Sequence, residues 1–133
     1  MIEYERPDAG EYQPGVCNIG PAEIERRRRV GYAGLAAAVG LGALLLFLGA
    51  PAWSRLAVAA PMTAALSGFI QARCKFCAGY GMAGLQNMGE MGEEQRVEQD
   101  AARRADRNRA LRIHAASIIG GLLVGIAFWR VRV

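Results

Sequence analysis

The stretch GYAGLAAAVGLGALLLFLGAPAW, residues 31–53, contains no charged side chain and decides the fold class. About 20 mostly apolar residues of helix cross a bilayer core, so this stretch is long enough to span a membrane. Two shorter uncharged runs follow, LAVAAPMTAALSGFIQA at 56–72 and AASIIGGLLVGIAFW at 115–129. The pattern predicts an all-α integral membrane protein, with a two-helix transmembrane hairpin and a third, C-terminal transmembrane helix.

The polar segments between these runs divide the 133 residues into four parts. Residues 1–20 are rich in proline and glycine and are expected to form an irregular cytoplasmic segment. Residues 21–72 form the hairpin, since Pro21 fits the first turn of a helix that continues into the first span. Residues 73–92 are a Cys-, Gly- and Met-rich interfacial loop. Residues 93–133 are expected to form one helix. Its first part is a long, charged cytoplasmic extension, and it runs into the third span.

The distribution of positive charge orients the predicted spans. Sixteen Lys and Arg residues against twelve Asp and Glu residues give a net charge of +4. The cations concentrate before the first span and between the second and third, as is typical of cytoplasmic flanks. We therefore expect a location in the bacterial inner (plasma) membrane, with the N-terminus cytoplasmic and the C-terminus outside.

A run of four arginines directly precedes the first span. Near an anionic membrane surface each arginine contributes about 1 kcal/mol of attraction, so the run is expected to contact lipid headgroups. Nucleic acid is not an expected partner, because no aromatic residues are interleaved with the arginines. The run consists of Arg26, Arg27, Arg28 and Arg29.

The cysteines and the single histidine fall in segments on the predicted cytoplasmic side. Three thiols and one imidazole are a tetrahedral zinc set, and thiolates near methionines also suit copper(I), although no cofactor is assigned. The Cys-Lys-Phe-Cys pair is alternatively a redox dithiol, and inert structural thiols are a further alternative. The histidine has a second interpretation as a haem or chlorophyll ligand. These metal or thiol candidates are Cys17, Cys74, Cys77 and His114.

Several classes of function lack their usual residues. No nucleophile, base and orienting group stand together, so an enzyme is not predicted. Residues 31–72 contain no carboxylate for a proton relay or transporter. The Gly-rich stretch 79–92 lacks the Lys-Ser/Thr that completes a phosphate-binding loop.

Two short motifs around the hairpin resemble the DUF2892 family, the inner-membrane rhodanese-associated (YgaP-like) transmembrane domain. The family pattern before the hairpin is Asn-x-Gly, an acid, an Arg and a Gly at helical spacing. The pattern after it is Phe-Cys-Pro-x-Tyr followed by Gly and Asn. The matching residues are Asn18, Gly20, Glu23, Arg27, Gly31, Phe76, Cys77, Tyr80, Gly84 and Asn87.

The resemblance covers about residues 17–88, and residues 89–133 have no counterpart. Ile24 stands where the family has Arg, Ala78 stands where it has Pro, and one extra residue is needed near Leu85-Gln86. The family implies a membrane hairpin that is sometimes joined to sulfur-transfer domains and is able to self-associate. It implies no settled biochemistry, but it favours a thiol role for Cys77.

These observations lead to two main functional hypotheses. The first is a small non-enzymatic accessory or structural subunit of a larger membrane complex, with other membrane subunits and lipid as partners and a homo-oligomer as an alternative. The second is a membrane-bound thiol-, sulfur- or metal-handling protein that uses Cys17, Cys74 and Cys77. A self-assembled channel is least supported, because the first two spans offer no charged pore lining.

Overall fold

The computed structural model describes residues 12–132. Predictions for residues 1–11 and for Val133 lie outside this range. The chain is mostly helical, and a 3-10 helix over Ala52–Val58 leads into the second long helix. The elements are α1 (Pro21–Phe47), α2 (Ala59–Cys74), α3 (Ala78–Ala83), β1 (Leu85–Gln86), β2 (Gln95–Arg96) and α4 (Asp100–Arg130).

Helices α1 and α4 are each long and apolar enough to cross a membrane. Helix α1 begins at Pro21, where the sequence predicts a helix start, and gives way to a turn at Gly49, whose φ of +62° suits glycine. The prediction of a mostly helical protein with long apolar helices is therefore confirmed.

The predicted second span differs from a single α-helix. Its first part is the 3-10 helix, and α2 itself has 16 residues, fewer than a span of about 20. Pro61 lies in the first turn of α2 and not in the middle of this helix. A proline is accommodated there because the missing N–H has no partner in the helix.

The segment between α2 and α4 is more ordered than the predicted loop. It contains α3 and a two-stranded antiparallel ribbon, in which Leu85 pairs with Arg96 and Gln86 with Gln95. The predicted charged helix from residue 93 is therefore wrong in its first turns, since α4 begins at Asp100. Buried Val97 explains the difference, because its N–H donates to the Gly84 carbonyl at 2.8 Å and holds residues 95–97 extended.

Small residues let the long helices pack closely. Helix α1 packs on α2, and α2 packs on α4. A Cβ added at Gly34 would lie 2.6 Å from the Ala65 backbone nitrogen, and one at Gly68 would lie 2.5 Å from the Gly31 nitrogen. Only glycine permits backbones to approach this closely, as in the small-residue interfaces of membrane helices.

Residues 12–20 and 75–113 form one end of the molecule, called the cap below. Its hydrophobic centre is a buried cluster of Phe76, Ala78, Ala110 and Ile113, which brings α3 against the first half of α4. A Cβ at Gly81 would lie 2.9 Å from the Asp106 carbonyl oxygen, so α3 lies directly on α4. The cap positions the cysteines relative to the start of α1.

Candidate thiol site

The Asn18 side chain fixes the backbone on both sides of Cys77. Its Oδ1 accepts from the Cys77 N–H at 2.6 Å, and its Nδ2 donates to the Cys77 carbonyl at 3.1 Å. Asn18 is fully buried, so these hydrogen bonds satisfy polar groups that have no access to solvent. The N-terminal segment therefore clamps the start of α3 in one conformation.

A second clamp joins the same segment to the chain after α3. The Asn87 N–H donates to the Asn18 carbonyl at 2.9 Å, and the Gly20 N–H donates to the Asn87 carbonyl at 2.9 Å. The Asn87 side chain in turn accepts from the Gly89 N–H and donates to the Glu90 carbonyl. The loop after α3 is thus held against the start of α1.

The turn from α2 into α3 is set by Gln71 and Lys75. Lys75 has a left-handed conformation, with φ of +54°, which ends α2 and reverses the chain. Buried Gln71 accepts from the Ala78 N–H at 2.8 Å, and its Nε2 donates to Ser67 at 2.7 Å. This geometry directs the Cys77 side chain towards α1.

The Cys77 sulfur accepts hydrogen bonds from two donors. Arg27 Nη2 of α1 lies 2.7 Å from Sγ, and the Tyr80 N–H lies 3.5 Å from it. Cys77 is only 4% exposed and forms no disulfide. A thiol beside an arginine has the electropositive surroundings in which cysteines act as nucleophiles.

Glu23 lies one helical turn before Arg27 and is completely buried. Its Oε2 is 2.9 Å from Arg27 Nη1, so the guanidinium connects a carboxylate and a sulfur. The pair is close enough for strong attraction, but the geometry is not that of a hydrogen bond. Among residues 12–132, neither Glu23 oxygen has a hydrogen-bond donor. A buried carboxylate is costly to desolvate, and the close guanidinium of Arg27 offsets part of that cost.

Tyr80 covers the outer side of Arg27. The Arg27 Cζ lies 5.7 Å from the centre of the Tyr80 ring, and the Tyr80 hydroxyl donates to Glu94 at 3.2 Å. Burial raises the Tyr80 pKa, and the negative charges of Glu23 and Glu94 raise it further. The phenol therefore stays neutral near pH 7 and gives Arg27 a cation–π contact.

The other predicted metal or thiol residues do not join this site. The Cys17 thiol is buried and donates to the Ile19 carbonyl at 3.6 Å. Half-buried Cys74 packs against the Phe76 cluster, and His114 is exposed on α4. In the described part of the chain, no three His, Cys, Asp or Glu side chains come together as metal ligands. The expected convergence of Cys17, Cys74, Cys77 and His114 is therefore not found there.

The arginine run divides between two directions because successive helical residues face different sides. Arg28 and Arg29 are exposed, and both pair with Glu25, at 2.7 and 3.6 Å. Arg26 is also exposed. Arg27 instead points inward to Glu23 and Cys77, so it does not share the exposed surface of the other three arginines. The expected contact of the run with lipid headgroups stays a prediction.

Comparisons of this chain with protein-family models, with curated proteins and with solved structures find no match. The resemblance to DUF2892 therefore stays a prediction. The residues that carry it nevertheless lie close together, since Asn18, Arg27, Cys77, Tyr80 and Asn87 are linked by the contacts above. Asn18, Glu23 and Tyr80 were not predicted as site residues. The sequence signal that could have identified them is their place in those two motifs.

Proposed function

We propose that this chain is an integral membrane protein of the bacterial inner membrane with a thiol site on its cytoplasmic face. The apolar faces of α1 and α4 support membrane insertion, because large side chains such as Phe47 (86% exposed) and Leu123 (61%) lack partners within the described chain. The exposed Arg26, Arg28 and Arg29 lie at the cap end of α1, as expected of a cytoplasmic boundary.

A third crossing by the 3-10 helix and α2 belongs to this proposal. Sixteen α-helical residues rise about 24 Å and seven 3-10 residues about 14 Å. Together they exceed the hydrocarbon thickness of about 30 Å. Carbonate-washed vesicles should retain the protein, and trypsin should cut at Arg104 and Arg107 only in inside-out vesicles. Release by carbonate, or cleavage in right-side-out vesicles, would contradict this placement.

The function that the site supports best is reversible thiol chemistry at Cys77. The observation that supports this function is the 2.7 Å contact between Arg27 Nη2 and Cys77 Sγ, beside buried Glu23. In thiol–disulfide exchange, the Cys77 thiolate would attack one sulfur of a partner disulfide, and the other sulfur would leave as a thiolate. Arg27 would still face Glu23 after the Cys77 sulfur became neutral, so no arginine would be left buried without an anion.

In this proposal a small reagent reaches Cys77 beside Gly79. Gly79 is exposed, and a Cβ placed on it would lie 3.8 Å from the Cys77 sulfur. A residue without a side chain therefore lies directly over the thiol. A small group reaches Sγ here with less rearrangement than a large one.

The reactivity of Cys77 tests this proposal in full-length protein carrying Cys17→Ala and Cys74→Ala. Its alkylation by iodoacetamide should depend on the neighbouring cation, and Arg27→Gln should slow it about tenfold or more, since the attacking sulfur loses that cation. Arg27→Lys should preserve most of the rate. Arg26→Gln, which removes an exposed charge from the same turn, is the matched control and should have no effect.

Cys77 would be a structural thiol under two outcomes. One is alkylation of folded Cys77 at the same rate in the parent and in Arg27→Gln. The other is alkylation only when the protein unfolds, with Arg27→Lys and the parent equally protected. Circular dichroism of each variant separates loss of reactivity from loss of fold.

An accessory subunit of a larger membrane complex is the second candidate. It is favoured by an apolar groove of about 390 Å³ between α1, the 3-10 helix, α2 and α4, at the end away from the cap. On its α1 side the groove has the exposed apolar side chains of Leu35, Val39 and Leu46, on which an apolar partner helix would pack. Purification from native membranes in mild detergent should then yield stoichiometric partners by intact-particle mass spectrometry. A lone chain or a homo-oligomer would overturn this candidate.

A further inference from the structure

An open cavity of about 480 Å³ lies between α3 and the first two turns of α4, away from the Cys77 sulfur. Its floor is formed by the short segment Gly81–Gly84, and its wall carries three arginines and one aspartate of α4. The wall residues are Asp100, Arg103, Arg104 and Arg107. Three positive charges against one negative charge make the cavity suited to an anion.

Two of the three arginines are available to a ligand. Arg103 Nη2 donates to Asp100 at 2.5 Å. The aliphatic part of the Arg103 side chain packs on Gly84, so this arginine already has partners. Arg104 and Arg107 are exposed and have no ion-pair or hydrogen-bond partner within residues 12–132. They lie three residues apart on α4, close to one face of the helix.

The floor of the cavity is packed against α4, and Met82 is its one large side chain. Gly84 ends α3 with φ of +74°, and Gly81 lies against the α4 backbone. The distance between floor and wall is therefore set by packing and not by flexible side chains. A ligand that binds here meets arginines whose helix is already in place, which lowers the cost of binding.

We propose that this cavity binds the phosphate group of a small phosphate-bearing molecule. Guanidinium groups match the oxygens of a phosphate with paired hydrogen bonds, and a phosphomonoester carries close to the two charges that would balance the cavity. The cavity is open to solvent and larger than a phosphate group, so the rest of the molecule extends outward from it.

The phosphate could belong to a soluble molecule or to a lipid headgroup. Arg104 precedes the uncharged run at Ala115 by about 16 Å of helix, at 1.5 Å per residue. The site therefore stands beyond most of the headgroup layer if α4 crosses the bilayer upright. The experiment below distinguishes the two sources.

The test uses full-length protein in phosphatidylcholine nanodiscs, with the arginine Nε–Hε signals followed by NMR during titration with inorganic pyrophosphate. The signals of Arg104 and Arg107 should shift and saturate. Arg104→Gln and Arg107→Gln should each weaken binding about tenfold, as loss of a charge-assisted hydrogen bond predicts. Arg112→Gln, an exposed arginine on α4 outside the cavity, should leave the affinity unchanged.

A parallel titration uses nanodiscs that also contain phosphatidic acid. If both signals shift before pyrophosphate is added, the lipid headgroup is the source, and if they shift only with pyrophosphate, the source is soluble. The proposal is overturned if neither source gives a saturable shift. It is also overturned if Arg112→Gln weakens binding as much as Arg104→Gln, because the attraction would then be general charge.

Discussion

Asp106 of α4 accepts a hydrogen bond from the Gly15 N–H at 2.7 Å, across 91 positions of sequence. The same carboxylate accepts from the Tyr12 hydroxyl at 2.5 Å, and Asp106 is fully buried. Both contacts tie the N-terminal segment to α4, which holds residues 17–20 near Cys77.

Asp106→Ala should release the N-terminal segment. Hydrogen bonds to a charged acceptor contribute about 1.5–3 kcal/mol each, so chymotryptic cleavage after Tyr12 should accelerate by at least about tenfold. Asp100→Ala is the control, because it removes an exposed acid of the same helix. Equal cleavage rates in the parent and Asp106→Ala would show that this attachment contributes little.

The same contact predicts a dependence on alkaline pH. Burial raises the Tyr12 pKa above its ordinary value near 10, and the hydrogen bond and charge of Asp106 raise it further. The free segment ionises at lower pH than the attached one, so the attachment is fully stable below about pH 10 and weakens above it. Absorbance at 295 nm, as the difference between the parent and Tyr12→Phe, should show Tyr12 ionising at lower pH in Asp106→Ala. An unchanged Tyr12 transition in that variant would contradict the assignment.

Asn18→Ala should destabilise the cap. It leaves the buried Cys77 N–H without a partner, at a cost of about 1–3 kcal/mol, and it removes one of the two donors to the Cys77 carbonyl, which keeps the Gly81 N–H. Asn108→Ala removes an exposed asparagine from α4 and serves as the control. Thermal unfolding in detergent should show a lower Tm for Asn18→Ala alone, and similar Tm values for the two variants would refute the clamp.

Gly34→Ala and Gly40→Ala should have opposite effects although both are in α1. The added methyl at Gly34 would meet the backbone of Ala65 and force α1 from α2, which costs about 1–3 kcal/mol. At Gly40 nothing lies within 4 Å, so alanine should be neutral or slightly stabilising. Denaturation in detergent measures both, and equal stabilisation would mean that helix propensity, not packing, decides the result.

The sequence was sufficient to predict the helices that are defined by long uncharged runs. The helix start at Pro21 was also predicted, because proline is a local signal for the first turn of a helix. The 3-10 helix before Pro61 and the ribbon at Gln86 and Gln95 were not predicted. They depend on contacts across the chain, such as the Val97 N–H with Gly84, that no local pattern reveals.

The candidate site was predicted only in part. Cys77 was selected by its residue type, but its partner Arg27 was read as one of four lipid-facing arginines. Which of four consecutive helical residues points inward depends on the rotation of α1 against the cap, and that is set by the glycine contacts with α2. Nothing in the sequence around Glu23 indicates that its side chain is buried, because an acid in the first turn of a helix is normally explained by the helix dipole.

The attachment of α4 to the N-terminal segment has a consequence for biogenesis. If the bundle crosses the bilayer as proposed, a chain whose last span inserts in the reverse direction leaves residues 100–113 on the opposite side. Asp106 then cannot reach Gly15, and the Ile113 side of the cap core is absent. Only a chain with the correct topology thereby closes the cap, while a misinserted chain leaves Phe76 uncovered and the segment around Gly15 unanchored.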